Sequence, residues 1–193
     1  MVLAGAAACS GQPDNSPTPS PTVSESTESF TSSPTPTSET EAASANAEAL
    51  VNEYYAVLDR FGARPATDAA ELESVAIDKD LDVRESQFSS WARDGWTQTG
   101  STRLSVVEVQ SVNLDNSDPS AGRVPTVEVD VCFDVSGVDV VDGSGISVVT
   151  VERPDTGWIR HTVSNRTWES DPVDGWRVST SVDLEQPPCE ATD

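Results

Sequence analysis

Val124-Pro125-Thr126-Val127-Glu128-Val129-Asp130-Val131-Cys132-Phe133-Asp134-Val135-Ser136 is the stretch from which the chain is read. Val127, Val129, Val131, Phe133 and Val135 share one side of an extended backbone; Glu128, Asp130, Cys132 and Asp134 share the other. Two-residue alternation this regular marks a half-buried β-strand. It predicts a central strand of a sheet that covers helices encoded upstream.

Those helices have their own period. Leu50, Val51, Tyr54, Val57, Leu58 and Phe61 form one apolar stripe, which predicts a helix over Ala45–Phe61 ended by Gly62. Asp68 and Glu71 have the spacing of a helix start, which opens a short second helix carrying Leu72 and Val75. Leu81, Arg84, Phe88 and Trp91 set a third, from about Asp80 to Arg93, stopped by Gly95. From Trp96 the period falls to two. Strands are expected over Arg103–Leu114, Ile146–Val151, Trp158–Glu169 and Trp176–Leu184, with a short one in Gly137–Gly145. Turns carry Asp118-Pro119, Asp142-Gly143, Pro154-Asp155 and Asp174-Gly175. Helices followed by antiparallel strands give an α+β class.

Charge narrows the function. The 193 residues carry a formal net charge of −22, and Lys79 is the single lysine. A surface this acidic repels nucleic acid and anionic headgroups, so a DNA- or RNA-binding role is excluded. Cys132 and Cys189 lie in the folded part and are read as a disulfide, with two buried free thiols as the alternative. A loop of that length is stabilised by about 4 kcal/mol in the chain-entropy model.

The N-terminal part has another composition. Residues 10–44 are almost wholly Ser, Thr, Pro, Glu and Ala, with Val23 and Phe30 as sizeable apolar groups. Such a segment buries too little surface to offset its ordering entropy and is expected to be a disordered stalk, roughly 30 Å from end to end. Before it, residues 1–9 end in Ala6-Ala7-Ala8-Cys9. That ending resembles a bacterial lipobox, although Ala6 stands where leucine is expected and no basic segment precedes the short apolar run. The resemblance implies a truncated signal peptide, a translation start upstream of Met1, and a diacylglyceryl group on Cys9. The chain would then be tethered to the outer leaflet of the bacterial plasma membrane, outside the cytoplasm.

Over residues 45–193 the order of elements resembles the nuclear transport factor 2-like (cystatin-like) fold. That likeness implies three N-terminal helices followed by one strongly curved antiparallel sheet, wrapped as a cone around the first helix. At closer range, Tyr54-Tyr55, Gly95-Trp96, the strand Val127–Ser136, Gly137-Val138-Asp139-Val140-Val141-Asp142 and Cys189 resemble lipoproteins of actinobacteria and their phages. This closer likeness implies no activity.

Candidate chemistry is sparse. His161 is the single histidine, a general base if it faces the cone with Asp134 or Asp139 beside it, and otherwise a sheet residue. Asn113, Asp115 and Ser117 have the spacing of the first calcium-loop ligands, but Asp118 and Val124 break the motif, so no metal site is expected. Asn165-Arg166-Thr167 fits a glycosylation acceptor by chance. Tyr54, Trp91, Trp96, Trp158, His161 and Trp168 are the candidate lining of a pocket. The expectation is a non-enzymatic, lipid-anchored binding module without a cofactor, whose partner is an envelope protein or a small apolar ligand. Two alternatives stand beside it: a small isomerase- or dehydratase-type enzyme, and a phage-encoded lipoprotein that blocks a second infection.

Overall fold

The computed structural model describes residues 38–65, 70–186 and 189. Cys9, the lipobox, most of the expected stalk and the Asp68 helix start lie outside the described residues.

Three α-helices come first: α1 (Glu39–Ala63), α2 (Ala70–Glu73) and α3 (Asp78–Asp94). α1 starts at Glu39, because the Ser38 hydroxyl accepts from the Glu41 amide at 3.2 Å and caps the first turn. The last residues assigned to the stalk are therefore helical, and Ala43 is buried. Ala43, Ala47, Val51, Tyr54, Val57 and Phe61 make the buried stripe of α1. α3 ends at Gly95, whose φ of 71° is the left-handed C-cap that a side chain with Cβ adopts only with strain.

The strands are β1 (Thr97–Thr99), β2 (Arg103–Asn113), β3 (Thr126–Asp134), β4 (Asp139–Val141), β5 (Thr156–Asn165) and β6 (Trp176–Asp183). They form a four-stranded antiparallel sheet in the order β2-β3-β5-β6 and a separate two-stranded sheet, β1-β4. This corrects the single strongly curved sheet expected from the sequence. Neither sheet is strongly curled or closed, and a 3-10 helix, Pro119–Ala121, falls between β2 and β3, so the helices do not all precede the strands. The physical cause lies in two connections. Residues 100–102 and 135–138 leave extended pairing, so β1 and β4 bond to each other and not to the large sheet. Ile146–Val151, expected as a strand, makes one isolated bridge, Ser147 to Val141, and exposes Ile146 and Val151.

The core is the contact between the α1 stripe and the inner face of the large sheet, where Val127, Val129, Val131, Val163 and Val178 are fully buried. Burying each valine contributes on the order of 1.5–3 kcal/mol. Residues between α2 and α3 cover part of the β6 edge: Ile77 N donates to Val178 O at 2.9 Å, and Val178 N donates to Val75 O at 2.8 Å.

β3 departs from simple alternation. Asp130, Val131, Cys132 and Asp134 are all buried, so its second half is covered on both faces. On the polar face Arg160 grips Asp130 with two bonds, Nε to Oδ1 at 2.6 Å and Nη2 to Oδ2 at 2.8 Å. Further along, Cys132 is joined to Cys189, with Cα atoms 6.1 Å apart. The bridge holds Cys189 against β5, where Thr156 Oγ1 donates to Cys189 O at 3.0 Å.

The bridge closes a separation of 57 residues, so replacing both cysteines by serine is expected to remove about 4 kcal/mol of stability. Urea denaturation of the wild type and the double variant, with and without reductant, measures it: reductant should lower the wild-type midpoint towards that of the variant and leave the variant unmoved.

Candidate functional site

α1 turns two adjacent tyrosines to different surroundings. Tyr54 points into the core and is fully buried, whereas Tyr55 reaches the wall of a cavity of about 530 Å³. Both belong to one chain of polar side chains. The Ser181 hydroxyl donates to Asp80 Oδ1 at 2.6 Å. With its hydrogen committed there, Ser181 accepts from His161 Nδ1, 2.8 Å away. The imidazole is thus the Nδ1–H tautomer, and its bare Nε2 accepts from the Tyr55 hydroxyl at 3.1 Å. From the other side Tyr54 donates to Asp80 Oδ2 at 2.7 Å, and Arg84 Nε donates to the Tyr54 hydroxyl at 2.8 Å. Arg84 Nε also lies 3.8 Å from Asp80 Oδ2, at the i,i+4 spacing on α3. Every proton in the chain points towards Asp80.

The electrostatics follow from burial. Desolvation lowers the pKa of His161 to about 4, with a smaller opposing pull from Asp80. The imidazole is neutral at neutral pH. Desolvation likewise pushes the Tyr54 and Tyr55 phenols well above their ordinary range, so both remain donors. Burial opposes the charge on Arg84, but Tyr54 and Asp80 more than offset it and its pKa stays raised.

The cavity opens beyond this chain. α1 supplies Tyr55, Leu58 and Asp59; α3 supplies Arg84, Gln87, Phe88 and Trp91. Trp96, Gln98 of β1 and Val140 of β4 line another side, and Val148, Val149, Thr150 and Arg153 line the wall contributed by the long connection before β5. Phe133 and Val135 extend the apolar face of β3 into the same space. Phe133 can lie flat on its partner strand because residue 157 is glycine: a Cβ there would come within 2.7 Å of the ring. Asp59 is occupied in holding the wall, accepting from Gln98 Nε2 at 2.7 Å, the Thr102 amide at 2.9 Å and the Thr102 hydroxyl at 3.0 Å.

Of the aromatic residues singled out in the sequence, Trp91 and Trp96 line the cavity. Tyr54 and His161 lie behind its wall, in the polar chain. Trp168 packs edge-on against Trp176, with centroids 5.7 Å apart, and Trp158 lies in β5 opposite Cys132. His161 meets neither Asp134 nor Asp139; the carboxylate it reaches, through Ser181, is Asp80. The i,i+4 pair Asp80 and Arg84 beside an apolar Leu81 was the available signal for that group. Asn165 is fully buried; its side chain donates to Asp171 O at 2.8 Å and accepts from the Thr167 amide at 2.9 Å, so it organises a turn. Among the described residues no group of three or more His, Cys, Asp or Glu side chains is placed to hold a metal ion, and no helix is long and apolar enough to cross a membrane.

No protein-family model matches the chain, and no curated protein matches it. Among solved structures, the intermembrane space region of the chloroplast protein ARC6 is similar, with 17% identity and a TM-score of 0.48, over 73% of this chain and 95% of that one. A likeness at this level carries no functional argument.

Two measurements probe the polar chain. Because the folded imidazole has the lower pKa, the unfolded chain takes up a proton between about pH 6.5 and 4 that the folded protein refuses. Stability is therefore expected to fall as pH drops through that window, by about 3 kcal/mol in total. In H161Q that part of the slope should vanish, which urea midpoints at successive pH values would reveal. Y55F strips the donor from His161 Nε2 and should lower stability by about 1–3 kcal/mol, with no change in the pH at which the slope begins.

Proposed function

We propose that the chain is an extracytoplasmic binding module, tethered through a lipid on Cys9, that takes up a small, largely apolar molecule. The observation that carries this reading is the cavity itself: about 530 Å³, within the range of small-molecule sites, lined mainly by Leu, Val, Ile, Phe and Trp side chains. The Cys132–Cys189 bridge supports an oxidising compartment, as does the lipobox-like Ala6-Ala7-Ala8-Cys9. The acidic surface suits a protein that is held near anionic headgroups without adhering to them.

Binding is favoured over catalysis by the position of His161. A general base presents a lone pair to its substrate. Here the bare nitrogen is engaged by Tyr55, the imidazole is 0% exposed, and it is not among the residues of the cavity wall.

Native mass spectrometry of the full chain recovered from its host tests the reading. The expected result is a mass excess that leaves on denaturation, together with a fatty-acyl mass that remains and is lost in C9A. Recovery of an empty cavity from every growth condition, with no displacement of an apolar fluorophore by any lipid extract, would overturn the ligand. A Cys9 that never takes up labelled fatty acid would overturn the tether.

A further inference from the structure

Two arginines, Arg84 and Arg153, line the cavity. Arg60, Arg84, Arg93, Arg123, Arg160 and Arg166 each face a carboxylate. Arg153 lines the cavity and has no carboxylate partner among the described residues. Its Nη2 donates to Val135 O and Val138 O, both at 2.8 Å, and this anchors the guanidinium at the turn between β3 and β4. Its Nε is enclosed and finds no acceptor among the described residues. A half-buried guanidinium with no opposite charge beside it favours an anion arriving from the cavity. Two carboxylates, Asp59 and Asp183, line the same cavity, and neither forms an ion pair with Arg153.

We infer that the occupant is a single-chain amphiphile with a carboxylate head, its head on Arg153 and its chain along Val140, Val148, Val149, Trp91 and Trp96. This rests on reading the cavity as a ligand site and names the ligand's class. Of the other charges in the wall, Asp183 ends β6, and Arg84 and Asp59 are engaged by their own partners. Arg84 is balanced by Asp80, and its Nη1 donates to Gln87 at 3.1 Å. Asp59 has both oxygens occupied. With both Nη2 hydrogens committed to the turn, Nη1 is the donor that the guanidinium holds out to a carboxylate. The apolar chain supplies affinity by leaving water, and the head fixes which end lies at the turn.

The test uses three probes of one chain length, decanoate, 1-decanol and decylammonium, titrated calorimetrically into the full chain. The wild type is expected to bind decanoate roughly tenfold or more tighter than decanol, and decylammonium most weakly. R153M should erase the margin between acid and alcohol while leaving the alcohol's affinity within about twofold, and R153K should keep much of the margin. Since Arg153 also holds a turn, urea midpoints accompany the variants; the wild-type ranking of the probes stands even if R153M does not fold. Equal binding of acid and alcohol by the wild type, or tighter binding of decylammonium, overturns the carboxylate head and leaves the apolar cavity intact as a site. Failure of all three probes to bind overturns both readings.

Discussion

Asp80 is where the parts of this fold are tied together. It sits in the first turn of α3, 3% exposed, and its two oxygens accept from β6 through Ser181 and from α1 through Tyr54. A carboxylate removed from water is costly unless donors replace the water it has lost. Here two hydroxyls, the nearby Arg84 guanidinium and the N-terminal end of a helix do so. The packing of three elements is therefore fixed by direction as well as by contact. Aliphatic surfaces can slide; a hydroxyl aimed at one oxygen cannot.

The same bonds fix the direction of the aromatic rings behind the cavity wall. Tyr54, Tyr55 and His161 meet edge to face, with centroids 5.4 to 5.6 Å apart. Each polar tip is committed: Tyr55 to His161, His161 to Ser181, Tyr54 to Asp80. A wall made this way turns Tyr55 to the cavity, with the imidazole nitrogens behind it already engaged. The histidine that suggested catalysis is thus a structural spacer, held neutral by its burial.

β3 serves three surroundings along its length. Val127, Val129 and Val131 fill the contact with α1. Phe133 continues the same face but meets the cavity, because β1 and β4 pair apart from the large sheet and leave space beyond the core. On the reverse face Arg160 closes over Asp130 and Cys189 closes over Cys132. A strand with an acidic side is buried on both sides because one arginine and one disulfide supply the cover.

Local pattern was enough for the long helices and the long strands, but not for the whole order of elements, since Ile146–Val151 forms no strand and a 3-10 helix interrupts the strands. The apolar stripes of α1 and α3, Gly95 as a stop, the alternation of β3 and the pairing of Cys132 with Cys189 depend on neighbours in sequence or on simple elimination among cysteines. What the pattern could not carry was the partnering of distant segments. Whether β1 and β4 join the large sheet depends on the conformation of the connections at residues 100–102 and 135–138, and alternation says nothing about conformation there. Tyr54 and Tyr55 look equivalent in a list, yet the helix turns one into the core and the other to the cavity. His161 and Asp80 are joined through Ser181, and Arg153 forms no ion pair among the described residues because the fold sets none of their carboxylates beside it. Sequence alone determined which segments could bury a face, since burial follows periodicity. The tertiary structure decided which polar groups met, since a hydrogen bond needs two atoms placed within about 3 Å of each other and no local pattern encodes that distance.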